Sequence, residues 1–132
     1  MAAHLRERGI RPALVLCSPA TRARETLAGV EPGLDGSPEI KIDPELYVAS
    51  ARGLLARLQR IPGPVPSAMV IGHNPAIERL ALDLAATGPD LAALARKYPT
   101  GALATLEFTG DWSELDADAA RLVGFVKPRD LD

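Results

Sequence analysis

Apolar residues in this chain fall into short unbroken runs separated by amphipathic stretches. Residues 13–17, Ala-Leu-Val-Leu-Cys, form one such run, the pattern of a parallel strand buried on both faces. Ala68 to Ile71 repeats it, and Ala102 to Phe108 with Arg121 to Val126 predict two more strands, close enough to pair as a hairpin. Ile40-Lys41-Ile42 alternates as a short edge strand does. Between the runs the period changes. Ser18-Pro19 is expected to cap a helix through about Leu27, with Pro19 at a favoured first position. Residues 30–38 carry Gly, Pro and Asp and read as a loop. Pro44 to Arg60 carries the helical stripe Leu46, Leu54, Leu55, Leu58 and Ile61. Ile77 to Ala86 and Leu91 to Arg96 add further helix. The first residues look like the end of a helix: Leu5 and Ile10 flank Arg6-Glu7-Arg8, and Gly9 is a fitting stop.

This order of strand, helix, strand, helix, strand predicts an α/β fold with a mainly parallel sheet between helices. At 132 residues the chain is read as a single domain spanning 1–132, large enough for a real core. Pro62-Gly63-Pro64-Val65-Pro66 is then a rigid connection within the domain. Aromatic residues make up 4%, so the core must be aliphatic.

Charge and cysteine usage narrow the function classes. A net charge of −2 gives no reason to expect nucleic acid or a membrane surface as a partner. Cys17 stands alone, which excludes a disulfide framework and makes a reducing compartment the default. No stretch has the length of a membrane span, and Met1 to Gly9 lacks the apolar core of a signal peptide. A cytoplasmic protein is expected. No Walker or dinucleotide glycine pattern occurs, and two histidines and one cysteine far apart in sequence do not make a zinc site.

Two strand ends carry candidate chemistry. Val70-Ile-Gly-His-Asn-Pro75 stops a buried strand on glycine and presents His73 at the carboxyl edge of the sheet, where open α/β folds bind ligands. Gly72 permits the turn, and Pro75 can open the next helix, whose N-terminal N–H groups attract anions. The strand ending at Cys17 runs into Ser18-Pro-Ala-Thr-Arg-Ala-Arg-Glu-Thr26, which puts Arg22 one turn into a helix. An arginine fork and an imidazole on one sheet edge can hold a phosphoryl group and stabilise charge on its oxygens.

Each piece has a plainer reading. Arg22 and Arg24 suit solvated helix charges paired with Glu25. Cys17 suits a small core residue, and the Cys-x5-Arg spacing of protein tyrosine phosphatases fails, since the required position is Ala23. His4 suits a surface role. Glu45, opening a helix in Asp43-Pro44-Glu45-Leu46-Tyr47, suits the macrodipole better than a general-acid role.

Ser18-Pro-Ala-Thr-Arg-Ala-Arg-Glu-Thr26, Glu45-Leu-Tyr47 and Val70-Ile-Gly-His-Asn-Pro75, in that order, together resemble the histidine phosphatase superfamily. The chain is most similar to its small bacterial phosphohistidine phosphatases, the SixA-like branch. Lys97-Tyr-Pro-Thr-Gly-Ala-Leu-Ala104 and Phe125-Val-Lys-Pro-Arg-Asp-Leu131 resemble that branch too, so the similarity covers essentially the whole chain. The resemblance implies a phosphoglycerate mutase-like three-layer sandwich and a metal-independent phosphatase without cofactors. It would act on phosphohistidine in proteins or on small phosphoesters through a phosphohistidine enzyme intermediate. It implies that His73 and Arg22 are catalytic and bind the phosphoryl group.

One departure is large. The family opens with a strand ending in Arg-His-Gly or Arg-His-Ala, which supplies the nucleophile and a second arginine. These 132 residues contain no such motif, and His4 has no strand or arginine before it. Three accounts are open: a misplaced start, a truncation or remnant, or a pseudoenzyme that binds phosphate or a partner without catalysis. The first is preferred because the chain opens on mid-fold material. An interior strand lost from the sheet would leave an edge that invites self-association.

Overall fold

The computed structural model describes residues 1–131, with helices and strands alternating as an α/β chain. Helices α1 (Ala2–Glu7), α2 (Thr21–Val30), α3 (Ala51–Gln59), α4 (Ala76–Leu84) and α5 (Leu91–Arg96) intersperse with six strands. The strands are β1 (Leu14–Cys17), β2 (Glu39–Ile42), β3 (Ala68–Ile71), β4 (Ala85–Thr87), β5 (Leu103–Phe108) and β6 (Ala120–Val126). The chain divides into two compact units. One holds Met1–Ala49 and Pro62–His73, the other Ser50–Ile61 and Asn74–Asp132.

The first unit is built on a wholly parallel sheet in the order β2-β1-β3. All four residues of β1 are buried, as its unbroken apolar run requires of a central strand. Each such Leu or Val contributes about 2 kcal/mol by leaving water. On the edge strand β2 the expected alternation is only partial: Ile40 is half-buried, while Glu39 and Lys41, 3.6 Å apart, and also Ile42 are exposed. Among the described residues β3 is bonded to β1 on one side only. Its Ala68, Met69 and Val70 are half-buried and Ile71 is buried. Helix α1 packs on α2 and on the 3-10 turn Glu31–Gly33, and Arg6 donates to the Pro32 carbonyl at 2.7 Å. Leu5 is fully buried beneath it. Gly9 ends α1 with φ +65°, as the sequence suggested.

The second unit holds a mixed sheet, β4-β6-β5. Strands β5 and β6 form the expected antiparallel hairpin, Leu103 opposite Val126. Ala81, Ala85, Leu94 and Leu122 form its buried core, with Leu82, Leu91, Tyr98, Ala104, Leu106 and Phe125 packed against them. Strand β4 is a departure: the sequence pattern predicts helix through about Ala86, yet Ala85–Thr87 pairs parallel with β6. Gly88, at φ +149°, comes next and lies hard against the Leu122 carbonyl, where no Cβ fits.

Two helix boundaries also differ from expectation. Helix α2 starts at Thr21 and runs to Val30, and Ser18 does not cap it. The stretch Pro44 to Arg60 is two elements. A 3-10 turn, Pro44–Leu46, is capped by Asp43, and α3 starts afresh with Ser50 accepting from the Gly53 N–H at 3.1 Å. Tyr47 and Val48 between them are 57% and 85% exposed, so no continuous apolar face joins Leu46 to Leu54. No helix among the described residues is long and apolar enough to cross a membrane.

Candidate active site

Parallel pairing sets the site. Cys17 stands opposite Ile42 on one side and Ile71 on the other, so the three strands of the first unit end level. Ser18, Asp43 and the pair Gly72-His73, each at the end of its strand, therefore leave from a single edge. The ladder extends past the strands, with Ser18 N–H donating to the Ile71 carbonyl at 2.9 Å and Asp43 N–H to the Cys17 carbonyl at 2.8 Å. Those bonds fix the backbone from which the side chains project.

Ser18 is the buried polar side chain of this edge, with 0% exposure. Its Oγ accepts from the Ala20 N–H at 3.2 Å and lies 2.8 Å from His73 Nε2. The His73 ring is half-buried. The structure thus brings together two residues that stand out in the sequence, though the sequence context of Ser18 predicts a helix cap. No sequence signal marks the contact, because it depends on β1 and β3 lying side by side with Cys17 opposite Ile71.

Arg22 lies in the first turn of α2, four residues after Ser18, and its side chain is exposed. Its carbonyl accepts from Thr26 Oγ1 at 3.0 Å, and its guanidinium makes no ion pair or hydrogen bond among the described residues. No hydrogen bond joins it to His73. Arg24 stands close enough to act electrostatically on Cys17. Glu45 lies exposed in the turn after β2, where its N–H donates to Asp43 Oδ1 at 2.9 Å. His4 sits on α1, away from the sheet edge in sequence and in element.

Cys17 behaves as core. Its side chain is fully buried, and its thiol donates to the Ser18 carbonyl at 3.3 Å. Burial pushes its pKa above the ordinary value, and the Arg24 charge offsets part of that rise. A raised thiol pKa keeps sulfur protonated, the reverse of what a nucleophile needs. Among the described residues no three His, Cys, Asp or Glu side chains gather as metal ligands.

The two later motifs meet in the second unit. Asn74 donates its side-chain amide to the Tyr98 carbonyl at 3.0 Å. The Tyr98 ring packs on Phe125, with centroids 5.5 Å apart, and its hydroxyl donates to the Ala102 carbonyl at 3.2 Å. A Cβ at Gly101 would sit 3.1 Å from Pro128 Cγ. Lys97–Ala104 and Phe125–Leu131 therefore form one packed structure holding Asn74, the residue next to His73.

No protein-family model matches the chain. It is 38% identical over 119 residues to an uncharacterized protein of Mycobacterium tuberculosis, covering 87% of this chain and 73% of that one. An uncharacterized protein of Mycobacterium leprae is 34% identical over 120 residues, covering 87% and 71%. Among solved structures, the SixA protein assigned as a phosphohistidine phosphatase in Agrobacterium tumefaciens superposes with a TM-score of 0.76 at 32% identity, covering 96% of this chain and 75% of that one. Its counterpart in Nakamurella multipartitia gives 0.77 at 28% identity, covering 96% and 78%. The protein histidine phosphatase SixA complexed with tungstate gives 0.76 at 24% identity over 99% and 78%, a likeness of fold. The parallel sheet, the order of the motifs at its edge and these similarities agree: the chain belongs to the SixA-like branch of the histidine phosphatase superfamily, with its phosphoglycerate mutase-like α/β fold.

Proposed function

We propose that this chain carries the phosphoryl-binding part of a metal-independent phosphatase acting on phosphohistidine in proteins or on small phosphoesters. The observation that supports this most is the sheet edge at which Ser18 fixes the His73 ring, with Arg22, unpaired among the described residues, one helical turn away in sequence. Arg22 and His73 bind the phosphoryl oxygens, the guanidinium neutralising the charge that grows on them during transfer and the imidazole donating a hydrogen bond to them. In the reaction implied by the family, the bond from phosphorus to the leaving group breaks as a histidine nitrogen bonds to phosphorus. Water then cleaves that phosphohistidine and releases inorganic phosphate. The nucleophilic histidine has no counterpart in these 132 residues, whose histidines are His4 and His73. Catalysis by the chain is therefore a separate matter from binding.

That same observation favours a second reading, a phosphate-binding or protein-interaction pseudoenzyme. One experiment separates the two. Hydrolysis of a phosphohistidine-bearing protein and of p-nitrophenyl phosphate is measured in the presence of a chelator, alongside inorganic phosphate binding. Turnover that His73→Ala abolishes supports the phosphatase. Binding that His73→Ala abolishes, without turnover, supports the pseudoenzyme. Neither turnover nor binding overturns both the phosphatase and a phosphate-binding pseudoenzyme.

A further inference from the structure

The Ser18–His73 contact decides which ring nitrogen faces a ligand. A serine hydroxyl has one proton to donate and two lone pairs to accept with. At Ser18 the Ala20 N–H occupies one lone pair, at 3.2 Å. The remaining partner of Oγ is His73 Nε2, at 2.8 Å, and two arrangements are open. If Nε2 carried the proton, Oγ would accept twice, and the hydroxyl proton of a side chain with 0% exposure would be left without an acceptor. Buried polar groups of native proteins satisfy their donors as well as their acceptors. The arrangement that satisfies every group has the Ser18 O–H donating into an unprotonated Nε2.

We infer that Ser18 is a positioning residue that holds neutral His73 as the Nδ1–H tautomer. The two imidazole nitrogens flank Cε1 with widely diverging outward directions, so Nδ1–H turns away from Ser18, on a ring that is only half-buried. The donor offered to a phosphoryl oxygen is then Nδ1–H, in the tautomer that a histidine side chain free in water disfavours. The serine does not touch the substrate. It fixes the proton and the plane of the group that does, as the partners of metal-binding histidines do. The Nδ1–H assignment stands on the hydrogen-bond geometry alone; its use toward phosphate rests on the function proposed above.

Nitrogen-15 spectra of the histidine rings test both parts separately. The protein is recorded at a pH where the rings are neutral, with His4→Gln to assign the His4 signals. The expected result is an Nδ1-protonated, Nε2-unprotonated His73 ring, and in Ser18→Ala a shift toward the Nε2–H form. Inorganic phosphate should then move the Nδ1 signal more than Nε2, and Ser18→Ala should bind it on the order of fivefold to tenfold more weakly. A wild-type His73 protonated on Nε2 overturns the assignment, and this result needs no variant to fold. An Nδ1–H ring that phosphate leaves unmoved supports the role of Ser18 and overturns the phosphoryl site.

Discussion

Cys17 and Ile71 face each other across the parallel β1–β3 pair, and the Ser18 N–H continues the ladder onto the Ile71 carbonyl at 2.9 Å. Because both strands end at this pair, Ser18 and His73 leave the same edge, and a hydroxyl and an imidazole 55 residues apart meet at 2.8 Å. Backbone register, set by two apolar runs, thereby delivers a side-chain contact that neither run contains.

Arg22 and Arg24 are separable by substitution. Arg22→Ala removes a charged donor from the proposed phosphoryl site and should weaken inorganic phosphate binding on the order of tenfold to a hundredfold. Arg24→Ala should change it little, while raising the Cys17 thiol pKa further by removing the charge that lowers it. Calorimetric titration of the two variants checks the first effect. A larger loss in Arg24→Ala would move the anion site to that residue.

Cys17 should be chemically silent in the folded protein. Its burial, the raised thiol pKa and the bond to the Ser18 carbonyl all oppose thiolate formation. A disulfide reagent at mildly alkaline pH should react only as fast as the protein opens. Cys17→Ala should keep phosphate binding and lose about 1 kcal/mol of stability through the small void it leaves. Rapid labelling of the folded chain would contradict this.

Strand β1 and strand β3 are legible in the sequence because each is a short apolar run closed by a breaker, Ser18-Pro19 for one and Gly72 for the other. The β5–β6 hairpin is legible for the same reason. Strand β4 is not: Ala85-Ala86-Thr87 has no alternation and continues the composition of α4. Leu46 and Leu54 lie eight residues apart, which fits a helical stripe, yet Asp43 and Ser50 each cap a new element and break it. His73 and Arg22 could be singled out from strand ends and motif. The Ser18 partner could not, because it depends on which strands lie side by side and in what register.

Tyr98 gives the second unit an alkaline limit. Burial pushes its phenol up to about 12 from the ordinary 10, with a backbone hydrogen bond from Ala104 opposing the rise. The unfolded tyrosine ionises first as pH rises, so its stabilising contribution is full below about pH 10 and is lost on the way to 12. Denaturant unfolding across that range should show wild type losing stability relative to Tyr98→Phe, which has no proton to release. Parallel slopes for the two proteins would contradict the burial assigned to this hydroxyl.

The β3 edge predicts association between copies of this chain. Edge strands usually carry charges that discourage pairing, and β2 carries Glu39 and Lys41. Strand β3 offers Ala68-Met69-Val70-Ile71, bonded on one side and without a charge. Sedimentation velocity should show mass rising with concentration, and Val70→Lys should suppress it. A monomer at every concentration would mean that this edge does not pair between copies.

Inorganic phosphate titrated into wild type and into His73→Ala, with folding of both confirmed by circular dichroism, decides whether this sheet edge holds a phosphoryl group. Saturable binding that weakens at least about tenfold without the imidazole is the predicted result, the size of one charge-assisted contact. Equal affinity in the two proteins, or no binding to wild type, would contradict a phosphoryl site at this sheet edge.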